Sequence, residues 1–530
     1  MFDWIRSRLR ARESGPSALL QRAEQAMREG APEQARRICL SILNRAPREP
    51  HALSLMANIA ADLRQVEEGL RWAERAIAAD PRAAAPHYCS GRLWDLAGRP
   101  ERAEASYRRA IGLDPGNAKA HNNLGRVLSL QGRLDEALAC YRRALQLDPG
   151  QPEANQNYAA MTSDSQAREV AIEGYLRQIQ EDPTDARAFN NLANIYIGQG
   201  RNEEARANLE RAIALDPGHA EAHYSKSLLL LSEGDYAQGW REYEWRWRLD
   251  GPLSAPARRF RQPMWDGRDL GGGALLIHGE LALGESLQFV RYARIARERC
   301  GSVIFECAAP LKSLLQGVEG VGQIALPGET LPPFAAQTPI FGLPRVFGTT
   351  LQNIPWGGPY VRADPAKAAQ WRQTLEAARF RVGVAWTGNP QNPNNRDRSV
   401  SLEILAPLRS VPGVAFYSLQ IGAGAAQAAA HAALELVDLT SRLQDFSDTA
   451  ALVHNLDLVI TIDTSVAHLA GAMGVPVWVM LNATPDWRYH LARADNPWYP
   501  SMRLYRQARE GEWAPVVEKV TQDLRDLAAA

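Results

Sequence analysis

The sequence predicts an α-helical solenoid followed by an α/β half, and three observations carry that reading. Six prolines, Pro47, Pro81, Pro115, Pro149, Pro183 and Pro217, each stand 34 residues after the last. A fixed period of this size marks stacked helical hairpins. The helical pattern then stops in a Pro-, Arg- and Gly-rich stretch, 250–273. Beyond it, short β-rich runs alternate with helical stretches, the pattern of parallel sheets. The expected organisation is an N-terminal basic segment (1–15), a solenoid (16–249), a linker (250–273) and two Rossmann-like units (274–370 and 371–530).

Within the solenoid several positions recur in one register. Five of the prolines follow an aspartate, from Asp80 to Asp216. Twelve residues before the proline stand Ala35, Gly69, Ala103, Ala137, Ala171 and Ala205. Eight before it three repeats carry Tyr107, Tyr141 and Tyr175, and twenty-four before it stand Ala57, Gly91, Gly125, Ala159 and Ala193. Small residues let two helices of a hairpin approach, larger ones fill the space to the next hairpin, and proline ends the second helix. A seventh hairpin (220–233, then 236–248) lacks the proline. The pattern resembles the tetratricopeptide repeat family over roughly 16–249. A stack of this kind makes a groove for a partner, so chemistry is expected after it.

Asn123, Asn157 and Asn191 share one repeat position near the start of the first helix, preceded by Asn122, Gln156 and Asn190. An amide carries a donor and an acceptor, so a spaced column suits the backbone of an extended polypeptide acceptor. The alternative is that these asparagines cap or solvate the helix. The column resembles the asparagine ladder of the O-GlcNAc transferase solenoid.

Composition narrows the classes. The 60 basic and 60 acidic residues cancel, which argues against a nucleic-acid groove and against an acidic tail. Five scattered cysteines form neither a zinc pattern nor a disulfide framework, so a reducing cytoplasm fits best. No apolar run approaches the roughly 18–20 residues of a membrane span. The opening MFDWIRSRLRARE mixes apolar residues with arginines. It reads either as a weak membrane-surface helix or as a basic tail.

At the end of the solenoid Trp240, Tyr243 and Trp247 fall three to four residues apart. This stripe is expected to cover the last hairpin against the next domain, with sugar stacking as the lesser alternative. Strands are expected at 274–278, 302–306, 381–386, 415–419, 458–462 and, as the last clear one, 476–481. Helices are expected from about 285 to 299 and from about 465. Ligands of open parallel sheets bind at the carboxyl ends of the strands.

Three segments at such ends carry candidate chemistry. HGELALGES (278–286) places Glu285 in a first helical turn after Gly284; it reads as a cleft carboxylate or as a helix-start charge. DTSVAHLAGAMGVP (463–476) offers Asp463, Thr464, Ser465 and His468 at a strand end and helix start, which reads as an anion site or as an ordinary capped helix. GVAWTGNPQNPNNRDRSVSLE (383–403) carries Arg396 and Arg398 on a Gly/Asn-rich loop, suited to a diphosphate or simply solvated.

Together these segments resemble the heptosyltransferase-like glycosyltransferases of the GT-B fold over roughly 270–510, and most closely the bacterial proteins in which such a module follows tetratricopeptide repeats. The resemblance implies a metal-independent transferase without a cofactor, using a nucleotide-diphosphate sugar as donor. It implies Glu285 as catalytic base, and Arg396, Arg398, Gln420, Asp463, Thr464, Ser465 and His468 as donor-binding residues. Gln420 enters through Ser418-Leu419-Gln420, a strand end shared with relatives. Asp486-Trp487-Arg488 also recurs there, without an assignable role. The chain departs from the family at Ala282, where glycine is usual, and at Glu285, where aspartate is usual. The leading expectation is transfer of a sugar to a polypeptide recruited by the solenoid. The alternatives are a non-catalytic repeat scaffold and a transferase acting on a lipid-linked or lipopolysaccharide acceptor.

Overall fold

The computed structural model of the 530-residue chain describes residues 16–28, 31–148, 151, 154, 157–158, 165–249, 260–279, 282–375, 380–389, 395–425, 427 and 434–529. The N-terminal basic segment, residues 250–259 of the expected linker, Pro149, Gln156, Ala159, Glu280 and Leu281 lie outside the described residues. The chain divides into two compact units, Met1–Pro183 and Thr184–Ala530. The hairpins after Thr184 therefore belong to the same compact unit as the α/β half.

In the first unit paired helices follow the 34-residue period: Pro16–Arg28 with Pro32–Arg45, Pro50–Asp62 with Val66–Ala79, Ala84–Leu96 with Pro100–Leu113, and Ala118–Leu130 with Leu134–Leu147. The recurring small positions are where helices touch. A Cβ on Gly91 would stand 2.5 Å from the Tyr107 ring, and one on Gly125 2.8 Å from Tyr141. Each glycine thus admits the aromatic ring of its own hairpin's second helix, and both rings are fully buried. Each Asp-Pro step is a stop signal with a mechanism. Asp114 ends its helix, accepts the Gly116 N–H at 3.0 Å on its side chain, and precedes a proline that cannot donate.

The second unit opens with Ala186–Gly198, Asn202–Leu215 and Ala220–Glu233. The last hairpin closes with Tyr236–Glu242, which tightens into a 3-10 turn over Tyr243–Arg248. Trp240 and Tyr243 of the aromatic stripe cover this hairpin as the sequence predicts, while Trp247 stays partly exposed beside Arg246. Trp240 stacks edge-on against Phe289 and Trp487, and Tyr243 packs on Phe341. These residues belong to one core with the first sheet and one face of the second.

The first sheet comprises β1 (Ala274–His278), β2 (Ser302–Glu306), β3 (Gln323–Ala325) and β4 (Ala336–Pro339), all parallel, in the order β3-β2-β1-β4. The second comprises β5 (Phe380–Ala385), β6 (Val414–Ser418), β7 (Leu458–Ile462), β8 (Val477–Leu481), β9 (Asp495–Asn496) and β10 (Tyr499–Arg506). Its order is β6-β5-β7-β8-β10-β9, parallel except at β9. The helix Ala514–Ala529 covers the far face of this sheet. The structure adds strands that the sequence pattern does not mark, β3 and β4 in the first sheet and β9 and β10 after β8, and the helix expected over 285–299 is two pieces, Leu283–Phe289 and Tyr292–Arg297. The break has a local cause. The Leu287 carbonyl accepts Tyr360 Oη–H at 2.9 Å and the Gln288 carbonyl accepts Arg291 Nε–H at 2.7 Å. Side-chain donors thereby engage the acceptors that a continuing helix would use.

Candidate functional site

In each sheet the order reverses at one point. The first reverses at β1, with β2 on one side and β4 on the other; the second reverses between β5 and β7. Crevices at such reversals open at the carboxyl ends of the strands. The three sequence segments follow β1, β5 and β7 directly.

The segments after β1 and β7 meet. A Cβ on Gly284 would stand 2.6 Å from His468 Cδ2 and 3.3 Å from His468 Nε2. The helix Leu283–Phe289 therefore begins flush against the imidazole of the helix Ser465–Ala472. His468 is 6% exposed, and its Nδ1 lies 2.9 Å from Tyr499 Oη. Burial, reinforced by the Arg488 charge, pulls its pKa down to about 3. A neutral imidazole here offers a hydrogen bond but no positive charge.

The segments after β5 and β7 also meet. Arg398 Nη1 lies 3.3 Å from Asp463 Oδ2, while Tyr489 donates to Asp463 Oδ1 at 2.7 Å. Arg398 Nε is buried without a partner among the described residues. Asp463 thus holds cationic and hydroxyl donors in place. Thr464 caps the helix by backbone geometry only. Its hydroxyl lies 3.0 Å from the Thr461 hydroxyl, and no side chain caps the first turn. Ser465 starts that turn, partly exposed. Arg396 shares the short helix Asn395–Arg398 with Arg398 and is exposed.

Gln420 sits at the end of β6, 5% exposed. Its Oε1 accepts the backbone N–H groups of Trp386 at 3.1 Å and Thr387 at 3.0 Å. It therefore shapes the loop after β5. Asn395 continues that work, accepting the Gly388 N–H at 2.8 Å.

Sequence reasoning left Asp486-Trp487-Arg488 without a role, and the structure gives it one. Arg488 Nε donates to Gln288 Oε1 at 2.8 Å, Nη1 to Asp486 Oδ1 at 2.8 Å, and Nη2 stands 3.5 Å from Glu285 Oε1. Although burial opposes its charge, the carboxylates of Asp486 and Glu285 raise the Arg488 pKa. Trp487 packs on Trp240 and Trp498. Tyr236 of the last hairpin accepts Trp498 Nε1–H at 2.8 Å and lies 3.1 Å from His490 Nε2. His490 adopts φ 57°, a strained backbone for a non-glycine residue. Its Nδ1 reaches the Ser232 carbonyl at 3.2 Å.

Arg291, Gln288, Tyr360, Tyr489 and Tyr499 carry no motif and were missed. Arg291 is 4% exposed, donates to the Trp498 carbonyl at 2.8 Å and to Tyr360 Oη at 2.8 Å, and faces the Tyr499 ring at 4.8 Å. Only their burial, partial at Tyr360, and their long-range partners mark these residues, and a single sequence gives no measure of either.

The asparagine column divides between the units. In the first unit Asn123 Nδ2 donates to Tyr88 Oη at 3.3 Å and Asn157 Nδ2 to Asn122 Oδ1 at 2.9 Å, each reaching back 35 residues. These amides staple one repeat to the preceding one. In the second unit the buried Asn190 donates to Asn191 at 3.4 Å and leaves its own Oδ1 unpartnered.

A tetratricopeptide repeat family model matches residues 96–152 and 190–239. The chain carries tetratricopeptide repeats. Over 342 residues it is 29% identical to Protein FlbA of Caulobacter vibrioides, a match covering 58% of this chain and 55% of that protein. The chain thus spans about half the length of this curated relative. Among solved structures it is similar to YrrB, a TPR protein with an unusual peptide-binding site. That match is 22% identical, covers 36% of this chain and 98% of that one, and has a TM-score of 0.28. It is also similar to TTC0263, a thermophilic TPR protein of Thermus thermophilus, at 21% identity, covering 41% of this chain and all of that one, TM-score 0.28. Pseudomonas aeruginosa pilF matches at 20% identity, covering 40% and 96%, TM-score 0.34. No helix among the described residues is long and apolar enough to cross a membrane.

Proposed function

We propose that the α/β half is a glycosyltransferase that takes a sugar from a nucleotide-diphosphate donor, and that the repeats recruit a polypeptide acceptor. The observation that supports this reading is the contact of Gly284 with His468, which packs the helix that carries Glu285 against the helix that starts at Ser465. The donor's diphosphate would lie at the uncapped amides of that helix start, where the helix dipole favours negative charge. Arg398, held by Asp463 and with an Nε that has no partner among the described residues, would supply charge-assisted hydrogen bonds to the departing diphosphate. Arg396 would meet it from the exposed side. Glu285 would accept the proton of the acceptor hydroxyl as its oxygen attacks the anomeric carbon. A positioned base of this kind contributes roughly 10²–10⁴-fold. The neutral His468 would donate a hydrogen bond, and Gln420 would keep the loop after β5 open to the nucleotide.

The repeats support a protein-interaction role directly, and the Oδ1 of Asn190, which precedes Asn191 of the column and has no partner among the described residues, favours a ligand with N–H groups, as a polypeptide backbone has. The stapling by Asn123 and Asn157 favours the second reading, a scaffold whose repeats are self-contained and whose α/β half is inert. A thermal-shift panel of nucleotide-sugars separates the two. A selective donor at about 100-fold its dissociation constant adds about 2.7 kcal/mol of stability. Stabilisation by no nucleotide-sugar selects the scaffold.

A further inference from the structure

We propose that Arg488 is a positioning residue that fixes the Glu285 carboxylate at the crevice and keeps it ionised. This rests on the reading of Glu285 as the base. A single guanidinium contacts two residues one turn apart on the same helix, Glu285 at 3.5 Å and Gln288 at 2.8 Å. Gln288 is fully buried, so it gives the guanidinium a fixed acceptor. Asp486 holds Arg488 from the other side at 2.8 Å and also accepts its backbone N–H at 3.0 Å. The Trp487 ring lies 4.6 Å and the Phe341 ring 5.5 Å from the guanidinium carbon. The planar fork therefore has a defined orientation before any ligand arrives.

Glutamate has one more rotatable bond than aspartate, so its carboxylate loses more freedom when held in one place. A fixed arginine beside it offsets that loss. The same charge favours the ionised carboxylate and so lowers the pH at which a base becomes available. Other groups that bear on this pair include Asp486 on the same loop, Tyr243 from the last repeat hairpin, and His468, which lies against Gly284. Because Trp487 packs on Trp240, the loop that carries Arg488 is seated on the repeats themselves.

The test uses the full chain with ¹³Cδ-labelled glutamate. The Glu285 resonance is assigned by its disappearance in Glu285→Gln, and its titration is followed in the parent, Arg488→Gln and Arg488→Lys. Removing the positive neighbour is expected to raise the midpoint by about one pH unit, with Arg488→Lys between. An unchanged midpoint in Arg488→Gln overturns the proposal, as does one in Arg488→Lys should Arg488→Gln fail to fold. With a donor identified by the panel, Arg488→Gln is expected to lower kcat at least about tenfold with little change in donor KM, and to move the acidic limb of the rate profile upward. A limb that stays put while Glu285→Gln is inactive rejects Arg488 alone. Full turnover by Glu285→Gln removes the base, and Arg488's role with it.

Discussion

Gly284 and His468 are in direct contact: a single added methyl group on Gly284 would stand 2.6 Å from the imidazole Cδ2. That contact joins the helix after β1 to the helix after β7. His468 is held from behind by Tyr499, so it has little room to yield. Gly284→Ala is therefore expected to destabilise the protein by about 1–3 kcal/mol, the usual cost of overpacking. Urea unfolding of the full chain measures it. Gly284→Ala with parental stability would mean that the contact is loose.

The buried histidines set a pH dependence. His468 and His490 have pKa values lowered, chiefly by burial, to about 3 and about 4. An unfolded histidine titrates near 6.5. Between these limits the unfolded chain binds more protons than the folded one, so stability is complete above about pH 6.5 and is lost as pH falls toward about 4. By pH 5 each histidine is expected to remove about 2 kcal/mol. Thermal melts at pH 7.5 and pH 5 should converge in His490→Gln by comparison with the parent. A parent equally stable at both would contradict the assignment.

Tyr236 and Trp240 seat the last hairpin on the α/β core. Both are nearly fully buried, and Tyr236 bonds to Trp498 and His490. Trp240→Ala is expected to cost about 3–5 kcal/mol. Tyr236→Phe, which removes only the hydroxyl, is expected to cost about 1–3 kcal/mol by leaving the buried Trp498 N–H without its acceptor. Denaturant midpoints of the two variants, compared at equal slope, check the order.

Gly125 admits the Tyr141 ring within its hairpin. Gly125→Val is expected to disrupt that repeat, with loss of helical circular dichroism at 222 nm on mild heating, while Gly132→Ala is strained by its positive φ but meets no neighbour. Equal melting of both variants would contradict the packing account.

Much of the fold was legible because its signals are local. The 34-residue spacing fixed the hairpins, and apolar β-rich runs marked β1, β2, β5, β6, β7 and β8 to within one residue. β4 reads Ala-Gln-Thr-Pro and is buried throughout; its burial comes from β1 beside it, which no local pattern announces. β10 begins Tyr-Pro, a sequence that argues against a strand, yet its proline lies exposed near the strand start. The break near Arg291 depends on Tyr360, 69 residues away. At the site, Glu285, Asp463 and His468 stood out because each lies in a segment that directly follows a strand. The role of Arg488 did not, since two of its partners, Gln288 and Glu285, lie at least 200 residues away.

The central claim is that a nucleoside diphosphate ester binds where Arg398 and the start of the helix Ser465–Ala472 meet. The most direct measurement is calorimetric titration of the full chain, and of its Arg398→Gln variant, with the nucleoside diphosphate of whichever donor the panel selects. Binding by the parent, weakened at least about tenfold in Arg398→Gln, is the expected result, since charge-assisted bonds of this kind contribute about 1.5–3 kcal/mol. Equal affinity of the two proteins, or no binding by the parent, would contradict it.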